Sequence, residues 1–170
     1  HLRNRRQRQM CIRDRAWIRE HVPGLEPPLI WLRLQGGHSN LTYKITDRSG
    51  KEAVIRRPPQ GVLLPKAHDM GREWSLISAL GPSPVPVAEA LGFCESPDVT
   101  GAWFYIMGFI DGRPLYSDED ARAWVPEDKR AGLGDSFIDV LADLHSLDPD
   151  AIGLGDLGKK DAYVGRQLRT

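Results

Sequence analysis

The chain has 170 residues, 23 of them basic and 23 acidic, which is enough for one ordinary domain or two small ones. A hydrophobic fraction of 41% and a charged fraction of 27% are those of a globular protein, and no apolar run approaches the roughly 20 residues that a membrane helix needs. The net charge of zero hides an asymmetry, because residues 1–15 hold six arginines against Asp14 alone and the rest of the chain is acidic.

A basic arm of this kind can bind nucleic acid or anionic lipid. The stretch HLRNRRQRQMCIRDR, however, lacks helical periodicity and an apolar segment, and QRQMCIRDR looks like peptide read through sequencing-adapter DNA. Residues 1–15 are therefore expected to be a non-native or disordered basic segment, with neither nucleic acid nor membrane as a partner. Cys11 and Cys94 are far apart and form no Cys-x-x-Cys pair, which favours a reducing, cytoplasmic compartment. The five histidines show no zinc-ligand spacing.

AWIREHVPGL places Trp17, Ile18 and Val22 on one helical stripe, ended by Pro23-Gly24. A strand is predicted at 30–35. A second, at 41–47, alternates Leu41, Tyr43 and Ile45 with Thr42, Lys44 and Thr46, as a half-buried strand does. The third, EAVIRR at 52–57, is stopped by Pro58-Pro59. Gly36 to Asn40 make five residues between the first two strands, where a tight hairpin needs two. Such a loop is either a wide hairpin or a lid whose backbone N–H groups lie against phosphate oxygens.

A helix follows at 68–80, with Met70, Trp74, Ile77 and Leu80 on one face. After GPSPVPV, two more strands are predicted at 88–95 and 102–110, joined by a Ser-Pro-Asp turn. The pattern predicts an α+β fold: a five-stranded antiparallel sheet with the 68–80 helix on one face, Trp74 and Ile77 being among its buried residues. Beyond Asp111-Gly112 the chain turns helical. A long helix at 127–146 carries Leu133, Phe137, Val140, Leu141 and Leu144 as an apolar stripe. This helical part is too short to bury a core by itself, and DAYVGRQLRT opens a helix that stops in mid-pattern. The sequence is expected to be a fragment.

In kinase-type phosphotransferases a Gly-rich loop covers the nucleotide phosphates, a basic residue on the third strand reaches them, and a helix glutamate fixes that base. Here Gly36, Gly37, Ser39 and Asn40 supply the loop, Arg56 the base and Glu73 the carboxylate, in that order on a βββαββ frame. Plainer readings stand beside these. Gly36-Gly37 can be a hairpin turn, Glu73 a surface glutamate and Met107 sheet core. Either Arg56 is a solvated strand residue, or Arg57, on the opposite face, is the exposed one. His38 and His145 are read as structural rather than catalytic.

Over residues 16 to 170 the chain resembles the aminoglycoside phosphotransferase-like family, which has a protein-kinase-like fold. GGHSNLTYKI, AVIRRPPQGVLLPKAHDMGREWSLISAL, VPVAEALGF, FYIMGFIDGRPL and LADLHSLD look like its successive landmarks. GLGDLGKKDAYVGRQLRT is most similar to the branch of phosphotransferase domains attached to some acyl-CoA dehydrogenases. The resemblance implies that Gly36, Gly37, His38, Ser39 and Asn40 cover ATP phosphates. It puts Arg56 in place of the usual lysine, with Glu73 as its partner. It makes Met107 the gatekeeper, with the Gly108 carbonyl and the Ile110 N–H meeting adenine.

It further implies ATP or GTP with Mg²⁺ as cofactors of the full-length parent, and transfer of the γ-phosphate to a hydroxyl of a small substrate. Residues 16–112 would be the nucleotide-binding N-lobe and 113–170 the first helices of a truncated C-lobe. No catalytic or metal-binding residue is assigned within the chain. The family's His-Gly-Asp loop carries an Asn five residues after its Asp; HSLD at 145–148 has Gly153 there, and GDLG at 155–158 follows no catalytic loop. The fragment alone is thus expected to be inactive. The rival reading is a non-catalytic module that binds a nucleotide or a partner. A Rossmann dehydrogenase is disfavoured, since no GxGxxG follows a strand and opens a helix.

Overall fold

The computed structural model describes residues 15–34, 40–59 and 69–158, together with Gly165 and Leu168. Residues 1–14, the loop positions Gly36, Gly37, His38 and Ser39, and most of the helix expected after residue 160 lie outside the described residues. In chain order the elements are α1 (15–21), β1 (Ile30–Leu34), β2 (Leu41–Thr46), β3 (Glu52–Arg57) and α2 (Met70–Leu80). There follow β4 (Ala90–Cys94), α3 (Pro97–Thr100), β5 (Phe104–Gly108), α4 (Asp118–Trp124) and α5 (Glu127–Ser146). The described residues of His1–Ser78 and Ala88–Asp111 form one compact unit, and those of Ala79–Val87 and Gly112–Thr170 a second.

The sheet of the first unit is antiparallel throughout, in the order β1-β2-β3-β5-β4. Period-two alternation splits its side chains between two faces. On one face Ile45, Ala53, Ile55, Phe104, Ile106 and Cys94 meet Ile18 and Val22 at α1, with Leu25 and Leu29 from the segment leading into β1. This is the dry core of the unit, and the stripe of α1 is the one its sequence spacing predicts. Gly92 allows the close approach: a Cβ there would stand 3.1 Å from Val22 and 3.3 Å from Trp17.

The opposite face carries Thr42, Lys44, Val54, Arg56, Tyr105 and Met107, paired across strands as Thr42–Arg56–Tyr105 and Lys44–Val54–Met107. Helix α2 lies at this face. Trp74 stacks on Phe93 of β4 with ring centroids 5.6 Å apart, and Phe93 meets Trp103 edge-on. Trp74 and Ile77 are only half-buried, contrary to expectation, and Met70 is the buried residue of the helix. The indole stacks on Phe93 and tilts against Tyr105, with centroids 6.4 Å apart, and part of it stays accessible to water.

The last two strands are shorter than predicted. Residues 97–100 form a helical turn where a Ser-Pro-Asp turn was expected, because Ser96 caps the Asp98 N–H and Gly101 closes the turn with φ +86°. The β2–β3 connection is braced by Asp47, buried at 4% exposure, which accepts from the N–H groups of Glu26, Ser49 and Lys51 and from the Ser49 hydroxyl.

In the second unit, Ser117 caps α4 through the Asp120 N–H, and Arg113 sits over the Trp124 ring at 4.9 Å. Helix α5 spans the predicted residues, but none of its residues is buried. Leu133, Phe137, Ile138 and Leu144 are exposed, while Val140 and Leu141 are half-buried. Most of this apolar stripe is therefore uncovered among the described residues. No helix of the described residues is long and apolar enough to cross a membrane.

Candidate nucleotide-facing site

Arg56 and Arg57 are neighbours on β3 and therefore point to opposite faces. Arg57 goes into the core side, 5% exposed, and donates Nη2 to the Thr100 carbonyl at 3.0 Å. Neither simple alternative from the sequence holds: Arg57 is not the exposed arginine, and Arg56 is not merely solvated. Arg56 donates Nε to Glu73 Oε2 at 2.7 Å, with both side chains about two-thirds buried (30% and 31% exposed). The pairing requires α2 to begin near Met70, since Glu73 occupies its first turn. A carboxylate is also favoured there by the helix dipole.

Glu73 has two further donors. Asn40 Nδ2, at the exit of the glycine-rich segment, reaches Oε1 at 2.8 Å. The Tyr105 hydroxyl, on β5, reaches Oε2 at 2.8 Å. Burial pushes the Tyr105 phenol well above its ordinary range, reinforced by its hydrogen bond to Glu73 and that carboxylate's charge, with Arg56 opposing. The phenol therefore stays protonated, as a donor. Arg56 Nη1 makes a long contact to Thr42 Oγ1 at 3.4 Å, and its Nη2 has no hydrogen-bond partner among the described residues. A guanidinium held through Nε keeps its Nη edge for bidentate contact with a planar pair of anionic oxygens.

The remaining site residues fall on the same side of the sheet or at its exit. Met107 is half-buried opposite Val54, two residues from Tyr105 on the same face as Arg56. Gly108 gives its N–H to the Glu89 carbonyl at 2.8 Å. Ile110 is exposed, just past the end of β5. Beside this exit Lys44 pairs with Glu52 at 2.6 Å and lies 4.1 Å above the Phe109 ring. The structure thus brings together Asn40, Arg56 and Glu73, and sets Met107 on their face. Gly36, Gly37, His38 and Ser39 lie outside the described residues. Among the described residues no group of three or more His, Cys, Asp or Glu side chains could hold a metal ion.

Sequence reasoning missed Tyr105 and the Lys44–Glu52–Phe109 group. Period-two spacing puts Tyr105 on the face of Met107. That it also lies beside Arg56 depends on β5 pairing with β3 rather than only with β4, which no local pattern encodes.

A five-stranded antiparallel sheet whose third strand offers a base to the first-turn carboxylate of the next helix is the sheet lobe of a kinase-like phosphotransferase fold. Residues 30–170 match the phosphotransferase enzyme family APH, and the chain belongs to that family. Among solved structures it is similar to a proposed aminoglycoside phosphotransferase from Ralstonia eutropha JMP134. The TM-score is 0.77 at 34% identity, over 93% of this chain and 44% of that one. Curated relatives include acyl-CoA dehydrogenase family member 10 of Mus musculus, 34% identical over 143 residues. Family member 11 of Rattus norvegicus is 34% identical over 160 residues, and "Probable acyl-CoA dehydrogenase IBR3" of Arabidopsis thaliana is 40% identical over 136. These matches cover 84%, 91% and 78% of this chain but only 13%, 20% and 16% of the respective relatives.

Proposed function

We propose that the protein containing these residues is an ATP-dependent phosphotransferase that moves the γ-phosphate to a hydroxyl group of a small substrate. The observation that carries this reading is the Arg56–Glu73 pair at 2.7 Å, on the sheet face flanked by the exit of the glycine-rich segment. ATP or GTP fits the donor set: a guanidinium about one-third exposed, whose Nη edge can take two phosphate oxygens. Gly36, Gly37, His38 and Ser39 would lie over the phosphates, and the Gly108 carbonyl and Ile110 N–H would meet the base behind Met107.

Phosphoryl transfer depends on positioning and charge rather than on covalent chemistry by the protein. In this reading Arg56 draws the phosphates into line, and Glu73 stops the guanidinium from following the ligand. Among the described residues no group of three or more His, Cys, Asp or Glu side chains could hold a metal ion. The hydroxyl-accepting base and the metal-holding groups would come from residues outside these 170, and the chain alone would bind nucleotide without turning it over. A cytoplasmic setting and a hydroxylated small-molecule acceptor belong to the same proposal.

The test measures ATP and GTP binding to the chain, and transfer of labelled γ-phosphate by the longer protein that carries it. Arg56→Ala should weaken binding by about tenfold or more, the worth of a charge-assisted phosphate contact. A chain with no affinity for either nucleotide, or an unaffected Arg56→Ala variant, refutes the reading.

A further inference from the structure

Glu73 receives more than an ion-pair partner needs. Its Oε2 is shared by Arg56 Nε at 2.7 Å and the Tyr105 hydroxyl at 2.8 Å, and its Oε1 takes Asn40 Nδ2 at 2.8 Å. The donors come from three separate places: Asn40 from the loop exit just before β2, Arg56 from β3 and Tyr105 from β5. Asn40 is 8% exposed and Tyr105 3%, so both groups would leave costly gaps if Glu73 moved away. With only one of the three bonds, the carboxylate could rotate about its side chain. With all three, both oxygens are fixed, and so is the direction in which Arg56 presents its Nη edge.

We propose that Asn40 and Tyr105 are positioning residues that act through Glu73. They lock the carboxylate to the start of β2 and to β5, and so fix the direction in which Arg56 presents its Nη edge to phosphate. The proposal rests on the nucleotide-binding reading of the same site and deepens it. It also gives Asn40 a second role: its Nδ2 is engaged by Glu73, and through that bond it acts on nucleotide binding indirectly.

Binding of a fluorescent ATP analogue to the chain tests this. The variants are Arg56→Ala, Glu73→Ala, Tyr105→Phe and Asn40→Ala, plus the two doubles that combine Glu73→Ala with Tyr105→Phe or Asn40→Ala. Circular dichroism monitors the fold, and Tyr105→Phe preserves shape at its site. Tyr105→Phe and Asn40→Ala should each weaken binding roughly three- to tenfold, less than Arg56→Ala, because they act on the phosphate contact only through Glu73. Neither should weaken it further in the Glu73→Ala background, since residues that act through one partner are non-additive.

A pH profile separates this from a general packing effect. Asn40→Asp should bind worse than Asn40→Ala near pH 8 and recover near pH 5.5, relative to wild type at each pH, as the two carboxyls come to share a proton. Among the described residues the other groups bonded to Glu73 are Arg56 and Tyr105, and burial keeps the Tyr105 phenol protonated over that range. Fully additive double variants, or an Asn40→Asp profile parallel to wild type, overturn the proposal and leave the nucleotide reading standing. A wild-type chain that does not bind the probe, or an Arg56→Ala variant that binds it equally well, overturns both.

Discussion

Arg57 donates Nη2 to the Thr100 carbonyl at 3.0 Å, so a buried guanidinium stands one residue along the strand from the one paired with Glu73. Two adjacent arginines thus have opposite duties, and their alanine variants should separate them. Arg57→Ala leaves the carbonyl of a buried threonine without this donor and should cost about 1–3 kcal/mol of stability. Arg56→Ala breaks a half-exposed pair and should cost about 1 kcal/mol or less, while weakening nucleotide binding far more than Arg57→Ala. Chemical denaturation and nucleotide titration of both variants check the crossing pattern. Equal losses of affinity would mean that the two faces of β3 are assigned the wrong way round.

Much of this was legible locally. Alternation in LTYKIT and EAVIRR located β2 and β3, and the Met70–Trp74–Ile77 spacing located α2. Together they put Arg56 and Glu73 in reach of each other. What local pattern does not carry is strand order: β5 inserts between β3 and β4, and this brings Tyr105 to Glu73. Burial depth was likewise misjudged for Trp74, because an apolar stripe marks which side of a helix packs but not how much surface covers it.

Asp47 predicts a pH effect. Four donors hold its carboxyl down from 3.8 to about 2, the Ser49 hydroxyl most strongly, then the Glu26, Lys51 and Ser49 N–H groups, with burial opposing. A depressed carboxyl contributes stability that is fully present above its unfolded value and is lost as pH falls through the folded one. The contribution should therefore fade between about pH 4 and pH 2. Asp47→Asn should flatten this part of the acid limb in thermal melts recorded at successive pH values, and should lower the melting temperature at neutral pH. An unchanged acid limb would show that the brace at the β2–β3 turn is not formed in solution.

Two glycines should respond to alanine with opposite signs. At Gly92 the new methyl would press on Val22 and Trp17 at 3.1 and 3.3 Å, and overpacking of this kind costs about 1–3 kcal/mol. At Gly132, inside α5, nothing lies within 4 Å of the added carbon, so Gly132→Ala should stabilise by roughly 0.5–1 kcal/mol through helix propensity. Denaturant midpoints decide both. Destabilisation at Gly132 would show that its surroundings in solution are crowded.

Helix α5 leads to the last prediction. Phe137 is 66% exposed and Ile138 60%, on a helix with no fully buried residue. Isolated exposed apolar residues are ordinary, but a contiguous apolar patch promotes association. Phe137→Gln and Ile138→Gln, alone or together, should lower binding of a hydrophobic dye and reduce concentration-dependent association of the chain in analytical ultracentrifugation. They should leave the unfolding midpoint within about 0.5 kcal/mol of the wild type, as surface substitutions do. Leu141→Ala, at a half-buried position on the same helix, should instead destabilise by about 1–2 kcal/mol through lost apolar burial. If Phe137→Gln destabilises as much as Leu141→Ala, Phe137 is covered in solution and the exposed stripe is not a surface of the chain.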